Sequence, residues 1–356
     1  MNAVSTTAAA LVAAALSVVA GPPARAATIV IDDADPAGQG LNDPTPVSPI
    51  GGNPATTLGA ARLGVFQQAA TIWGSKLASS VTIRVSTTFT ALSCSATSAT
   101  LAATGANTVH RNFTGAPVAD TWYPQALANA LAGVDLDPST DDIVTEFNSS
   151  LGSSGCMPGT TFYLGLDGLP GSGQVDMLTV LLHELAHGLG FQTFEDVTTG
   201  VRLSGFNDAF LLAIDELGVS PTALSTMTDT QRAAADVSDP NLYWSGANVQ
   251  AAASNLTAGL VSGHVRLHAP SMIQLGSSVS HFSQALTPDE LMEPSYTGPN
   301  RNLDLTVDLL RDLGWQTPPV VPAVPSGTRW LLTAAIVFAG AYRLRRARHA
   351  MGPLTK

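Results

Sequence analysis

The stretch from Gln174 to Phe191 reads QVDMLTVLLHELAHGLGF and is the most informative part of the sequence. It contains the pattern H-E-x-x-H, in which His183 and His187 are four residues apart. On a helix, residues at positions i and i+4 lie on one face about 5–6 Å apart, so both imidazoles can bind one metal ion. Glu184 is offset from that face, which is the position of a general base rather than a ligand. The stretch therefore predicts a metal-binding helix.

The residues around the motif predict where this helix begins and ends. Asp176 is a candidate N-cap, and Gly188 and Gly190 are expected to stop the helix, with a positive φ at Gly190. The other positions are mostly apolar, namely Met177, Leu178, Val180, Leu181, Leu182 and Leu185. A chance motif on an ordinary buried helix is the alternative interpretation. It leaves unexplained the several kcal/mol that buried histidines and a carboxylate cost when they are neither paired nor bound to metal.

The two ends of the chain differ in composition from the middle. Residues 1–27 have an apolar stretch and an A-x-A-like site, which predict a secretory signal peptide cleaved after Ala26 or Ala27, although the usual basic start is missing. Residues 318–328 form a Pro-rich linker, and residues 329–356 combine an apolar run with an Arg cluster. We expect this tail to be either a membrane anchor or a sorting signal that a processing enzyme cleaves.

Charge and cysteine content agree with export. The net charge is -11 with only 12% charged residues, and no Lys/Arg cluster precedes the tail, so nucleic-acid binding is not expected. We expect a monomer. The two cysteines, Cys94 and Cys156, are predicted to form a disulfide in an oxidising compartment. The alternative is a thiolate that caps the metal as a latency switch, but nothing near either cysteine resembles such a device.

Periodicity predicts an N-terminal lobe, residues 28–191, in which a mixed sheet lies over the metal helix. Its predicted elements are a helix over Thr57–Leu77, strands over Val81–Phe89, Ile143–Phe147 and Thr160–Leu166, and a short helical run opened by Trp122-Tyr123-Pro124.

A catalytic zinc usually has three protein ligands, so a third is needed. In the compact pattern H-E-x-x-H-x-x-G-x-x-H it would fall at position 193, which is Thr193 here. The candidates further along the chain are Glu195, Asp196, Asp208, Asp215, Glu216, His264, His268 and His281. Asp215 and Glu216 lie in a predicted helical run over Asp208–Leu217 and are the runner-up, by analogy with the downstream glutamate of thermolysin-like enzymes.

His281 is the preferred third ligand because of the residues that follow it. It lies in the predicted loop Gly276–Ser283, and Met292 follows eleven residues later in Leu291-Met292-Glu293-Pro294. A methionine in a tight turn ended by Pro294 can lie beneath a metal site as an apolar floor.

At this point the chain resembles the leishmanolysin-like branch of the metzincin zinc metallopeptidases. The matching pieces are His183, Glu184, His187, Gly190, Ser280-His281-Phe282 and Glu290-Leu291-Met292-Glu293-Pro294. The resemblance covers Asp176 to Trp315 and implies an α+β zinc-peptidase fold with a Met-turn and a C-terminal helix. It implies that His183, His187 and His281 bind Zn²⁺, with Met292 beneath them.

Two features depart from this pattern. Phe282 stands where a bulkier aromatic residue is expected, and residues 192–275 carry no family motif. We expect those residues to form an inserted subdomain beside the cleft, with a further helix over Asp229–Ala235. Residues 276–317 would complete the catalytic lobe, ending in a helix that Asp304 caps and Gly314 stops. Tyr296 is a candidate to reach the zinc or an oxyanion.

Together these observations predict an exported zinc-dependent endopeptidase that acts on protein or peptide substrates. A metal-activated water would attack the peptide bond, with Glu184 as the general base. The alternative is a non-catalytic surface adhesion or binding protein on a zinc-peptidase fold. The intact Glu184 argues against it, because a purely structural zinc needs no base.

Overall fold

A computed structural model describes residues 25–319 of the chain. Residues 1–24 and 320–356 lie outside the described part, so the signal peptide and the apolar tail stay predictions. Among the described residues, no helix is both long enough and apolar enough to cross a membrane.

Helices and strands are mixed along the described residues, which makes the protein α+β, as predicted. The helices are α1 (Leu58–Lys76), α2 (Gln125–Ala132), α3 (Met177–Leu189), α4 (Asp229–Ala235), α5 (Ala247–Ala252) and α6 (Asp304–Leu313). The strands are β1 (Ile29–Asp33), β2 (Ile83–Thr90), β3 (Ala102–Ala106), β4 (Val109–His110), β5 (Thr121–Pro124), β6 (Ile143–Asn148), β7 (Thr161–Tyr163), β8 (Gln174–Asp176), β9 (Asn207–Asp208), β10 (Ile214–Glu216), β11 (Thr222–Ala223), β12 (Leu242–Trp244), β13 (Leu260–Val261) and β14 (His264–Val265).

The largest sheet of the described residues has four strands in the order β1-β2-β6-β3. The first three run parallel, and β3 runs antiparallel to β6. One face of this sheet packs against α1 and α3. The alternating, β-branched sequence of β2 buries every second residue from Ile83 to Phe89, as a strand with one covered face should. The predicted mixed sheet against the metal helix is therefore confirmed.

Helix α1 confirms the helix predicted over Thr57–Leu77. The Thr57 hydroxyl caps its first turn by accepting a hydrogen bond from the Ala60 N–H at 3.4 Å. On the buried face, the Trp73 indole N–H donates to the Leu182 carbonyl of α3 at 3.1 Å. This bond satisfies the buried indole and ties α1 to the middle of α3.

Gly188 does not stop α3, contrary to the sequence-based expectation. The helix continues to Leu189, and Gly190 ends it with φ 127°. A Cβ at position 188 would lie 2.4 Å from the Ile143 side chain of β6. The absent side chain therefore lets the helix approach the sheet closely, and only Gly190 has the positive φ that was predicted for a turn.

The short sheets correct two further expectations in the N-terminal lobe. Trp122-Tyr123-Pro124 belongs to β5 rather than to a helix, and α2 begins only at Gln125. Strand β5 pairs antiparallel with β4 and parallel with β9. Strand β7 covers Thr161–Tyr163, so it is shorter than the strand predicted over Thr160–Leu166.

The predicted helical run over Asp208–Leu217 is wrong. This segment contains the end of β9, a 3-10 turn at Leu211–Ala213, and β10. Its apolar residues have helix-like spacing, but β10 pairs on one side with β11 and on the other with β12. Strand pairing therefore overrides the local pattern, and Asp208 forms a turn by accepting the Leu211 N–H at 2.7 Å.

Two helices downstream match the predictions more closely. Helix α4 covers Asp229–Ala235 as predicted. Helix α6 ends at Gly314, which has φ 120°, but Asp304 is its first residue and not its cap. The N-cap position belongs to Leu303, whose side chain cannot accept a hydrogen bond, and Asp304 instead lies 3.5 Å from Lys76.

Cys94 and Cys156 form a disulfide with their Cα atoms 5.1 Å apart. It joins the loop after β2 to the loop after β6. Both thiols are consumed in it, so the alternative in which one thiolate caps the metal does not describe this structure.

Candidate metal centre

The structure brings three histidine side chains together at one point. His183 and His187 project from α3, and their Nε2 atoms are 3.2 Å apart. The Nε2 atom of His281, which comes from a distant loop, lies 3.1 Å from that of His183 and 3.3 Å from that of His187. Among the described residues, these three form a group of three potential ligands whose nitrogen atoms all lie within 4.8 Å of one another, close enough to hold one metal ion.

Each of these rings is oriented by a hydrogen bond from its other nitrogen, Nδ1, to a backbone carbonyl. The bonds join His183 to Leu291 at 2.8 Å, His187 to Phe191 at 2.7 Å and His281 to Ser277 at 2.9 Å. A carbonyl oxygen only accepts, so each Nδ1 carries the hydrogen, and each Nε2 presents a lone pair to the other two. Such carbonyl partners fix ring orientation in metal sites.

The protonation state and spacing of the three rings suit a metal ion. Burial lowers the pKa of His183 to about 4 and that of His187 to about 3, and it holds the pKa of His281 well below its usual value. The rings are therefore neutral at pH 7, the form that binds metal. Three lone pairs at 3.1–3.3 Å repel one another without an ion between them. Two nitrogen ligands of a tetrahedral zinc at ~2.0–2.1 Å would be roughly 3.3 Å apart, so the donor set fits such an ion.

The loop that carries His281 is held by contacts from several parts of the chain. Phe282 forms an antiparallel bridge with Leu267, and its N–H donates to the Met292 carbonyl at 2.9 Å. The carbonyl of His281 itself accepts the His268 N–H at 2.9 Å. Val279 has φ 69°, an unusual conformation for a β-branched residue, and it turns the chain just before the ligand.

Thr193, which occupies the third-ligand position of the compact pattern, supports the ligand loop instead. Its backbone N–H donates to the Ser280 hydroxyl at 3.2 Å, next to His281. Its own hydroxyl donates to the buried Asp208 carboxylate at 2.8 Å. Position 193 therefore supports the loop that carries His281 and does not supply a ligand itself.

The predicted Met-turn holds two of the ligand segments. Met292 is fully buried, and its carbonyl binds Phe282, while the Leu291 carbonyl binds the His183 ring. Pro294, two residues after Met292, limits the turn. The turn therefore contacts two ligand segments through two backbone carbonyls, those of Leu291 and Met292, in addition to any contact made by the Met292 side chain.

Glu184 is buried between α3 and the sheet, next to the histidine cluster but outside it. Burial raises the pKa of its carboxyl to about 8, and a hydrogen bond from the Thr104 hydroxyl of β3 acts in the opposite direction. Thr104 in turn lies 3.1 Å from the Thr145 hydroxyl. Sequence reasoning missed Thr104, because the ATGA segment around it carries no strand or site signal.

The other candidates lie elsewhere. Asp215 and Glu216 belong to β10 and are not part of the cluster. His264 packs on the Tyr243 ring at 4.5 Å, and the Nε2 atom of His268 contacts the Gln274 side chain at 3.0 Å.

The Tyr296 hydroxyl accepts a hydrogen bond from the Asp176 N–H at 3.0 Å. Asp176 lies at the start of α3 and His183 about 10 Å further along the helix, at 1.5 Å per residue. Tyr296 therefore supports the helix start and does not reach the histidines. Asp176 also caps α3 through the Thr179 N–H at 3.1 Å, as predicted, and forms an ion pair with Arg301 at 2.9 Å.

Comparison of the chain with protein-family models, with curated proteins and with solved structures gave no match. The leishmanolysin-like resemblance therefore stays a prediction.

Proposed function

We propose that this protein is a zinc-dependent endopeptidase with a metzincin-like fold. The observation that carries the proposal is the convergence of the His183, His187 and His281 Nε2 atoms within 3.1–3.3 Å, each ring with its Nδ1 fixed by a carbonyl. Glu184 lies beside this cluster without joining it, which separates the roles of ligand and base.

Three neutral imidazoles form a donor set that suits zinc, and three protein ligands leave one coordination position open, as in catalytic sites. When bound, zinc would supply a Lewis acid that polarises the scissile carbonyl and lowers the pKa of water toward ~7.

Glu184 takes the proton from the attacking water and passes it to the leaving amine. Glu184 must be ionised to take the first proton, and the Thr104 hydrogen bond favours that form, while burial raises its pKa and helps it hold the proton until the amine leaves. The Thr104 hydroxyl orients the carboxylate between the two transfers. The three histidines stay neutral throughout, because burial lowers their pKa values.

An extended peptide is the substrate class that the surroundings of the site favour. Strand β3, which carries Thr104, is an edge strand, since β6 is its neighbour in the sheet of the described residues. An extended chain can pair with such an edge through main-chain hydrogen bonds, which recognise any peptide. This would place the peptide bond near the base that Thr104 contacts.

Export is part of the proposal. The Cys94–Cys156 disulfide supports it, because disulfides persist mainly in oxidising compartments. Cleavage of the leader, retention of the C-terminal tail and a monomeric state stay predictions.

Glu184→Gln tests the proposal because it replaces the base with a side chain of nearly the same size. We expect the variant to retain zinc and to lose at least about 100-fold in turnover of a peptide library, since general-base catalysis contributes roughly 10²–10⁴. Wild-type protein treated with a chelator is the control for zinc dependence. Undiminished turnover in Glu184→Gln would remove Glu184 from this role. A zinc-loaded wild type that cleaves no peptide would favour the binding-protein alternative.

A further inference from the structure

The turn after the third histidine carries two buried acidic side chains that have no basic partner. Glu290 and Glu293 are each only 6% exposed. One oxygen of Glu293 accepts the Glu290 backbone N–H at 2.9 Å, which brings both side chains to the same short turn. The Oε2 atom of Glu290 is buried and has no hydrogen-bond partner among the described groups. Neither residue belongs to an ion pair of the described residues.

The Glu293 carboxylate is close enough to Glu290 to affect its pKa. Burial, and then the negative charges of Glu293 and Asp304, raise the pKa of Glu290 to about 7. Burial also raises the pKa of Glu293. A buried carboxylate is costly unless a cation or several hydrogen bonds compensate it, and neither is supplied here by the described residues.

A second buried acid pair in the same chain also has raised pKa values, but a protein cation lies beside it. Glu195 and Asp236 are also buried, but the guanidinium of the fully buried Arg232 lies 3.2 Å from the Glu195 carboxylate. The same guanidinium donates to the Gly200 carbonyl at 2.7 and 2.9 Å. Among the described residues, no Lys, Arg or His side chain forms a corresponding ion pair with Glu290 or Glu293.

We propose that Glu290 and Glu293 bind a second divalent cation, of the hard, Ca²⁺-like class. Carboxylate oxygens are the ligands such ions prefer, and the two side chains offer several of them, with water completing the shell. The site contains no imidazole or thiolate, so it differs in chemistry from the histidine cluster and does not compete for the same ion.

Binding there would brace the turn that positions the histidine cluster. Between the two glutamates lie Leu291, whose carbonyl orients His183, and Met292, whose carbonyl holds Phe282 beside His281. A cation bridging both ends of this four-residue turn would fix these carbonyls. The inference does not depend on peptidase activity, because its readout is binding and stability.

The test uses the full-length, zinc-loaded protein in buffer freed of calcium. We expect Ca²⁺ added to the millimolar range to raise the melting temperature by at least about 3 °C, because a ligand that binds only the folded state stabilises it. Tb³⁺, a luminescent substitute for Ca²⁺, should bind with a stoichiometry of one, and Ca²⁺ should displace it. Mg²⁺ should have a weaker effect, because it loses its water shell reluctantly.

Two variants and one control assign the effect to this turn. Glu290→Gln and Glu293→Gln should each abolish the Ca²⁺-dependent rise and weaken Tb³⁺ binding at least about 10-fold, while Glu216→Gln, on β10, should respond like the wild type. No Ca²⁺ response in the wild type would overturn the proposal and indicate a pair that only shares a proton. The same response in both variants would also overturn it. If one variant does not fold, the other variant and the Tb³⁺ titration of the wild type still decide.

Discussion

Helix α3 and the loop that carries His281 supply the same kind of ligand by different means. On α3, the helical repeat alone places His183 and His187 on one face, and the helix is buried from Met177 to Leu189 except at His183. The loop has no regular structure of its own. It is held by hydrogen bonds that the Thr193 and His268 N–H groups donate to it, and by one that the Phe282 N–H donates to the Met292 carbonyl.

This difference indicates that stability and metal affinity depend on different parts of the site. Packing of α3 against the sheet contributes to the fold as a whole, so changes there should lower the melting temperature. The loop buries only two apolar side chains, Val279 and Phe282, and it mainly fixes the direction of the His281 imidazole. Changes in its hydrogen bonds should therefore weaken zinc binding more than folding.

The largest effect is expected when the loop ligand itself is removed. His281→Ala should lower zinc affinity well over 100-fold, since even partners outside the ligand set are worth about 10–100-fold. Competition with a fluorescent zinc chelator measures this. Asp215→Ala and Glu216→Ala are the matched controls and should bind zinc like the wild type. If either control lost more affinity than His281→Ala, the runner-up ligands on β10 would replace His281.

The next effect concerns the packing of the helix. Gly188→Ala should destabilise the protein by about 1–3 kcal/mol, because the new methyl group would overlap Ile143. Gly155→Ala is the control, since a Cβ there would meet nothing within 4 Å. Chemical denaturation of both variants measures the difference. Equal stabilities would show that α3 does not approach the sheet as closely as described.

The smallest effect is expected from one hydrogen bond of the loop. Ser280→Ala removes the acceptor of the Thr193 N–H and should lower zinc affinity about 10-fold with little change in melting temperature. Thr226→Ala, in an exposed turn, is the control for loss of a hydroxyl. If Ser280→Ala lowered the melting temperature strongly and left zinc affinity unchanged, the loop would contribute to stability and not to zinc affinity, contrary to our account.

The contrast between the helix ligands and the loop ligand also explains how much of the site could be predicted from the sequence. His183, Glu184, His187 and the Asp176 cap follow from spacing within one helix, where neighbours in sequence are neighbours in space. His281 could be selected only through its resemblance to a known pattern, because its approach to α3 depends on distant contacts. The carbonyls that orient the rings could not be predicted at all, since every residue has one.

The fold shows a similar limit. Helix α1 and strands β2 and β6 were predictable because their periodicity is strong and their partners only reinforce it. Strand β3 is Ala-, Thr- and Gly-rich and becomes a strand because it pairs with β6. The apolar spacing of residues 208–217 predicts a helix, but pairing with β11 and β12 outweighs it. The buried Arg232 cluster joins distant polar residues and left no local signal.

The central claim is that three imidazoles bind one zinc ion. X-ray absorption at the zinc edge, on full-length protein loaded with one equivalent of zinc, tests it most directly. We predict three imidazole nitrogens at ~2.0–2.1 Å and one further oxygen ligand that is not a side chain. A spectrum with two imidazoles or fewer, or a protein that does not retain zinc through gel filtration, would contradict the claim.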